Sequence, residues 1–411
     1  MNELDRRALL GVAGIAGLAS IASRAGAGPL DPPAGPVAPT GRTTDELFDR
    51  TAQAERYTRP STPIGPDTTP GDAFALRIIS EPGRYHLTAN LIVPPEYSVG
   101  INVTAPGVTI DLNGFAIIAT PNTTPTAVKF DGVGSAVLNG YIALFGGFAV
   151  DFSSAESARV EGITFDRCGT GVWASDFAMV SRCTFHQCSG VPLHTETGAI
   201  VTDCTFKLCA GSIELDQGIM ERCTVLTLNR IAAVLANNGS ILRSCSINAT
   251  VSDGPATEAT PITLSQNSRM EHCAVVANTK AIVVRALGAS VVAHCNIRNY
   301  TQTSSIIYQV ELNDASIMHD CLIRKTDQNG GITAVMGSAC VFKGNTVVGT
   351  GLVTGTATGT PRGAVYSNTA FTGAGVNFVF DTGPIGAPVH VATATTAMPA
   401  SFSAFGNIVG S

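Results

Sequence analysis

The sequence predicts an all-β chain, a right-handed parallel β-helix of about eleven rungs of about 22 residues, with a short N-terminal helix and a C-terminal cap. Three observations lead there. First, seven cysteines (Cys183, Cys204, Cys223, Cys245, Cys273, Cys295 and Cys321) recur at spacings of 21, 19, 22, 28, 22 and 26 residues. Each sits in a segment of one type, as in Met179-Val-Ser-Arg-Cys-Thr-Phe185, Ile200-Val-Thr-Asp-Cys-Thr-Phe206 and Ile241-Leu-Arg-Ser-Cys-Ser-Ile247. A period in the twenties belongs to a solenoid, where a repeat buries its apolar face only against its neighbours. Second, these segments lack the three-and-four apolar spacing that an α-solenoid needs. Third, a Gly-led strand follows the cysteine turn: Gly171-Val172-Trp173-Ala174 matches Gly190-Val191-Pro192-Leu193, Ser212-Ile213-Glu214-Leu215 and Gly331-Ile332-Thr333-Ala334. Three short strands per turn make one β-helix rung.

In chain order, residues 1–27 read as an export signal. Arg6 and Arg7 precede an apolar run from Leu9 to Ile21, and Ala25-Gly26-Ala27 offers a small-residue cleavage site. Arg24 beside that site suits a twin-arginine route, so the expected location is exported: periplasmic, cell-surface or extracellular. Residues 28–76 read as a Pro-rich linker and a short helix. Thr43-Thr44-Asp45-Glu46 is a capping box that opens the helix over 44–57, and Pro60 stops it. The β-helix spans 77–350. Residues 351–411, rich in Gly, Thr and Ala, lose the period and read as the cap that shields the open edge of a terminal rung.

Charged residues are 14% of the chain, against a usual share of about 25%, and the net charge is −6. That balance excludes nucleic acid as a partner, since phosphate needs a basic stripe. Beyond the N-terminus no stretch of about eighteen apolar residues occurs, so no membrane span is expected once the signal is removed. The cysteines number eleven. A chain folded in a reducing cytosol before export closes its core with free thiols. Stacked Cβ vectors also point the same way, which suits a disulfide torsion poorly. The column therefore reads as buried thiols acting as small hydrophobes.

Four segments carry a resemblance: Arg59-Pro-Ser-Thr-Pro-Ile64, Ile79-Ser-Glu-Pro-Gly-Arg-Tyr-His-Leu87, Gly107-Val-Thr-Ile-Asp-Leu-Asn-Gly-Phe115 and Phe405-Gly-Asn-Ile408. They resemble a family of exported bacterial right-handed parallel β-helix repeat proteins within the pectate-lyase-like superfamily. The resemblance covers most of residues 44–350. It implies the fold and a polysaccharide setting, because many members of that superfamily cut or bind polysaccharides, and it implies no particular reaction. The Asn-Thr-Asp, Asp-Asp and Gly-His-Gly strings of its polygalacturonase-like enzymes do not occur here. Where such helices often stack asparagine in the turn column, this chain stacks cysteine, and Asn345 closes the column.

Alternation turns Val172, Ala174, Val191, Leu193, Ile213 and Leu215 inward. Trp173, Glu214 and Asp216 then face outward, with His194 and Glu196 at a strand end between them. Two residues apart on one face, Glu214 and Asp216 put their carboxyls about 6–7 Å apart, near the separation of a two-carboxylate glycosidase. They are the candidate catalytic pair. Trp173, His194 and Arg285 are the candidate substrate-binding residues, the single Trp as a sugar-stacking surface. Arg285 stands about three rungs, on the order of 14 Å, from Asp216, too far for one active centre with it. The acidic pair could instead hold Ca²⁺, the one cofactor in view, and so bridge to a uronate polymer. The plainest reading is a solvated acidic stripe.

A second row lies just before each column cysteine: Arg182, Asp203, Arg222, Ser244, His272, His294 and Asp320. Its alternating charges read as cross-rung pairing. Its histidines, beside Glu271 and His319, offer a transition metal or a shared proton as the alternative, and no metal site is assigned from them. The C-x4-C pairs Cys183/Cys188 and Cys204/Cys209, with Cys168, read as stacking rather than zinc. Asp111 and Asn113 read as turn geometry. The expected function is a rod at the cell envelope that binds a carbohydrate or another partner. The alternative is a polysaccharide lyase or glycoside hydrolase using Glu214 and Asp216. The oligomeric state stays open at this stage.

Overall fold

The structure is a computed structural model that describes residues 61–120, 125–227, 233–250, 260–278, 282–300, 309–325, 332–336 and 339–348, with six short strands beyond 350. All of them lie in the compact unit from Pro60 to Ser411. The expected export signal, the linker up to residue 43 and the helix at 44–57 lie outside the described residues.

Every strand pairing among the described residues is parallel, and the chain winds as a parallel β-helix of about eleven turns. One face stacks fourteen strands in chain order, from Ala75–Ile79 to Asn377–Phe380. The pairing does not stop at residue 350: Ile332–Met336 pairs with Leu352–Gly355, which pairs with Asn377–Phe380. No helix of the described residues is long and apolar enough to cross a membrane.

One rung shows the local logic. Met179–Ser181 and Thr184–His186 are short strands that meet at Arg182 and Cys183, and Leu193–Thr195 is the third side. The corner is turned by a single left-handed residue, Arg182 at φ 54°, and the same step recurs at Asp203, Arg222, Ser244, His272, His294 and Asp320. A non-glycine residue there costs roughly 1–2 kcal/mol, so the stacked ladder must hold each corner in place. Period-two alternation then buries one column per strand. Phe165, Phe185 and Phe206 stack with centroids 4.7 and 4.6 Å apart. Val180, Val201 and Met220 line the next side, and Val172, Leu193 and Ile213 the third. At roughly 1.5–3 kcal/mol per fully buried large side chain, these columns supply most of the favourable term in folding.

The cysteine column is a hydrogen-bonded ladder of free, buried thiols. Each thiol sits 3.5–3.8 Å from a carbonyl of the preceding rung: Cys204 to Val180, Cys245 to Met220, Cys321 to Val292. Sulfur also accepts from backbone, as Cys295 N–H donates to Cys321 Sγ at 3.4 Å. Asn345 continues the pattern with better geometry. Its Oδ1 accepts from Cys321 N–H at 2.9 Å, and its Nδ2 donates to the Met318 carbonyl at 3.1 Å. Cysteine thus does weakly what an asparagine ladder does strongly. At another corner a serine column, absent from the sequence reading, plays a similar part. Ser240 Oγ donates to the Asn237 carbonyl at 2.6 Å and accepts Gly218 N–H at 3.2 Å, while Ser316 Oγ accepts Ser290 N–H.

The structure corrects two alignments, each by two residues: Ala334, not Ile332, continues the Val172 column through Val284 and Val310. Val172 pairs with Leu193, not with Val191. Gly190 stacks on Gly169, its N–H donating to the Gly169 carbonyl at 2.7 Å, so the sequence matched it to the wrong glycine of Gly169-Thr170-Gly171. The error is two residues, so inward and outward positions are kept. Val191 is nevertheless half-buried rather than a core residue, and His194 moves from a strand end to mid-strand. Gly171 has its own reason to be glycine: a Cβ there would lie 2.2 Å from the Pro192 carbonyl oxygen.

Candidate functional site

The outward positions of the fourteen-stranded face form a straight row. Asp151 registers with Trp173, Trp173 with His194 and His194 with Glu214. Leu235, Thr263, Arg285 and Glu311 continue it. Four of the five sequence candidates (Trp173, His194, Glu214 and Arg285) therefore share one row. Asp216 lies two residues beyond Glu214 and registers with Asn237. Arg285 is three steps from Glu214 and pairs with Glu311, Nε to Oε2 at 2.6 Å, so it belongs to a separate cluster.

Three side chains interlock at the centre of the row. The Trp173 and His194 rings stack with centroids 3.9 Å apart and planes 20° apart. Phe148 meets the indole edge-on at 5.9 Å. His194 Nδ1 lies 2.9 Å from Glu214 Oε2, with the side chains 19% and 33% exposed. One indole face is covered by the imidazole. Asp216 Oδ1 accepts from Asn238 Nδ2 at 2.6 Å, and Ser175 Oγ donates to Glu196 Oε2 at 3.4 Å. Both candidate carboxylates are thus engaged along the helix axis. His194 retains a second ring nitrogen, and with Glu214 it makes a pair able to orient or relay a proton.

Asp151 and Lys129 extend the row and went unnoticed in the sequence. A signal was there: Val128-Lys129-Phe130 and Val150-Asp151-Phe152 repeat one inward-outward-inward unit, and Phe130 stacks on Phe152 at 4.3 Å. Lys129 Nζ holds Asp131 at 3.1 Å. On the adjacent face a half-hidden charge centre is also new. Asp166, 6% exposed, accepts from Tyr141 Oη at 2.7 Å and from Arg167 Nε at 2.9 Å, and meets His186 Nδ1 at 2.7 Å. Burial pushes this carboxyl up, but the bonds from Tyr141, His186 and Arg167 together hold it below the usual carboxylate range.

The alternating row predicts cross-rung charge pairing, which occurs between Asp203 and Arg222, whereas Arg182 turns to Glu161 outside the row. Arg222 grips Asp203 with Nε and Nη2 at 2.9 and 3.1 Å, which holds the Asp203 carboxyl below its ordinary value, and Arg182 pairs with Glu161. Farther along, the row changes to stacked imidazoles, His272 on His294 at 5.0 Å. Asp111 and Asn113 make a turn: Asp111 Oδ1 accepts Asn113 N–H at 2.8 Å, and Asn113 is left-handed. Residues 251–259 and 301–308, within the longer rungs at 245–273 and 295–321, lie outside the described residues.

No protein-family model matches the chain, and no curated protein matches it. Among solved structures, the catalytic domain of a GH87 α-1,3-glucanase in complex with nigerose is similar at a TM-score of 0.41 and 10% identity. That likeness covers 75% of this chain, which spans 66% of the glucanase domain. A tailspike protein variant of E. coli bacteriophage HK620 in complex with pentasaccharide is similar at a TM-score of 0.42 and 11% identity, over 92% of this chain and 77% of that one. Likeness at this level assigns no chemistry to this chain.

Proposed function

We propose that this chain is an exported β-helix rod that holds an extended glycan along the row Asp151–Trp173–His194–Glu214 without cutting it. The observation that carries the reading is the interlocked centre of that row, an indole, an imidazole and a carboxylate on consecutive rungs. Sugar recognition asks for an apolar surface for ring C–H groups beside polar atoms for hydroxyls, and this row offers both. Outward groups repeat at the strand spacing of about 4.8 Å, a geometry that suits a polymer lying along the axis. The hydrogen bonds of Glu214 and Asp216 run along the axis too, which favours binding over a pair of carboxylates flanking one scissile bond. Export rests on the signal-like residues 1–27. Should the polymer be a uronate, Ca²⁺ at Glu214 and Asp216 would neutralise the meeting of two acidic surfaces.

A second reading, polysaccharide lyase or glycoside hydrolase, is favoured by the His194–Glu214 pair, which has the form of an oriented acid–base group. The two readings part in one experiment. The protein is incubated with plant, algal and bacterial polysaccharides, with and without Ca²⁺, and soluble products are examined by mass spectrometry. Retention of intact polymer without shortened or unsaturated oligosaccharides is expected. Products that disappear in Glu214→Gln would sink the binding reading and establish the enzyme.

A further inference from the structure

We propose that His294, His319 and Asp320 form a surface site for a divalent transition metal, with His272 as a further imidazole on the preceding rung. The site shares no residue with the Trp173 row and needs no glycan.

The three residues each offer one ligand atom, and these atoms lie within 4.8 Å of one another. They come together because two outward rows run side by side across the cysteine turn. His294 and Asp320 occupy successive left-handed corners, and His319 is the strand residue beside Asp320. The strand position beside His294 is Ala293, which registers with His319 and leaves room for the rings. His294 and His319 meet edge to face at 5.4 Å, and His272 stacks on His294 at 5.0 Å. Metal–nitrogen bonds of about 2.0–2.1 Å bring donor atoms to roughly 3–4 Å from one another. Closing the cluster therefore takes a shift of about 1 Å in side chains that are exposed or half-exposed, a matter of torsions and not of backbone.

The chemistry selects the metal. His319 Nδ1 lies 2.9 Å from Asp320 Oδ2, so a ring nitrogen and a carboxylate oxygen that could share one ion are already neighbours. Two or three imidazoles and one carboxylate suit Zn²⁺, Ni²⁺ or Cu²⁺, whereas Ca²⁺ and Mg²⁺ prefer oxygen-only sets. Neighbouring charge does not pre-empt the cluster: Glu271 is taken by Arg243 and Arg269. Lys343 follows His319 in register and opposes added positive charge, so the site is a moderate binder rather than a tight one. Bound metal would tie together the turns at Cys273, Cys295 and Cys321.

The test uses the full chain, stripped with chelator and titrated by calorimetry with ZnCl₂ and NiCl₂ at pH 7.5, with CaCl₂ and MgCl₂ as controls. About one Zn²⁺ or Ni²⁺ per chain is expected at pH 7.5, weakened at least about tenfold in His294→Ala and His319→Ala and less severely in Asp320→Asn. His194→Ala should leave binding untouched. Metal-free melting of these surface variants should match the parent, which separates ligand loss from misfolding. Undiminished binding in both His294→Ala and His319→Ala, or no binding by the folded parent, overturns the proposal.

Discussion

Replacing Asn345 with alanine should destabilise the rod by about 2–4 kcal/mol, while cysteine at the same place should cost about 1 kcal/mol or less. The side chain is fully buried, accepts Cys321 N–H at 2.9 Å and donates to the Met318 carbonyl at 3.1 Å. Alanine removes that partner from two buried backbone groups, each worth about 1–3 kcal/mol when stranded, and partial relaxation of the rung keeps the sum below the maximum. Cysteine preserves both contacts in weaker form, as Cys321 does one rung earlier with Cys295 N–H at 3.4 Å and the Val292 carbonyl at 3.7 Å. Urea unfolding gives the free energies, and hydrogen exchange at Cys321 N–H reports the local rung, because a solenoid can open from one end. Alanine should speed that exchange markedly and cysteine slightly. An alanine variant within about 0.5 kcal/mol of the parent, or a cysteine variant as damaged as alanine, would refute the ladder argument.

Three other outcomes follow from the same structure. Burial pushes the Cys168 thiol up to about 12, so its contribution is fully present below the unfolded thiol value of about 8.5 and is lost as pH rises through the interval. Urea midpoints from pH 7.5 to 10.5 should fall in the parent and fall less in Cys168→Ala; a flat parent profile would contradict this. Asp166 has the opposite sign: its lowered carboxyl stabilises the fold above the usual value of about 3.9 and ceases to do so as acid protonates it, so Asp166→Asn should flatten the acid limb of the stability curve. Gly171→Ala should fail to reach the soluble fraction, because its new methyl meets the Pro192 carbonyl oxygen at 2.2 Å; a soluble variant melting like the parent would show that the strand can shift.

The architecture was legible because the rung repeats chemically. Cys183, Cys204 and Cys223 stand at one corner of the cross-section, and a residue type at a fixed corner leaves a period that survives insertions. Register within the third strand was less legible. Gly169 and Gly171 are two glycines with different jobs, a stacked turn and a close approach to Pro192, and the sequence does not say which one Gly190 continues. Parity survives a slip of two, so Leu193 stays inward, while His194 proves to be a mid-strand position in register with Trp173 and Glu214. Their interlocking was not legible, since a ring stack at 3.9 Å depends on mid-strand register and rotamer. Lys129 and Asp151 were not legible because they lie on rungs before Cys183, where the cysteine column offers no register. The Asp166 centre draws on Tyr141, Asp166 and His186 from three rungs, a contact that only stacking creates.

The central claim is that the outward row around Trp173 is the glycan-contacting surface. The most direct measurement compares polysaccharide binding by the parent, Trp173→Ala and Ile200→Ser, an exposed apolar position on another face, 40% accessible. The account predicts that whichever polymer the parent binds is held about tenfold more weakly by Trp173→Ala, the loss of roughly 1.4 kcal/mol that one aromatic contact supplies, and unchanged by Ile200→Ser. Full binding by Trp173→Ala, or loss confined to Ile200→Ser, would place the contact on a different face and contradict the account.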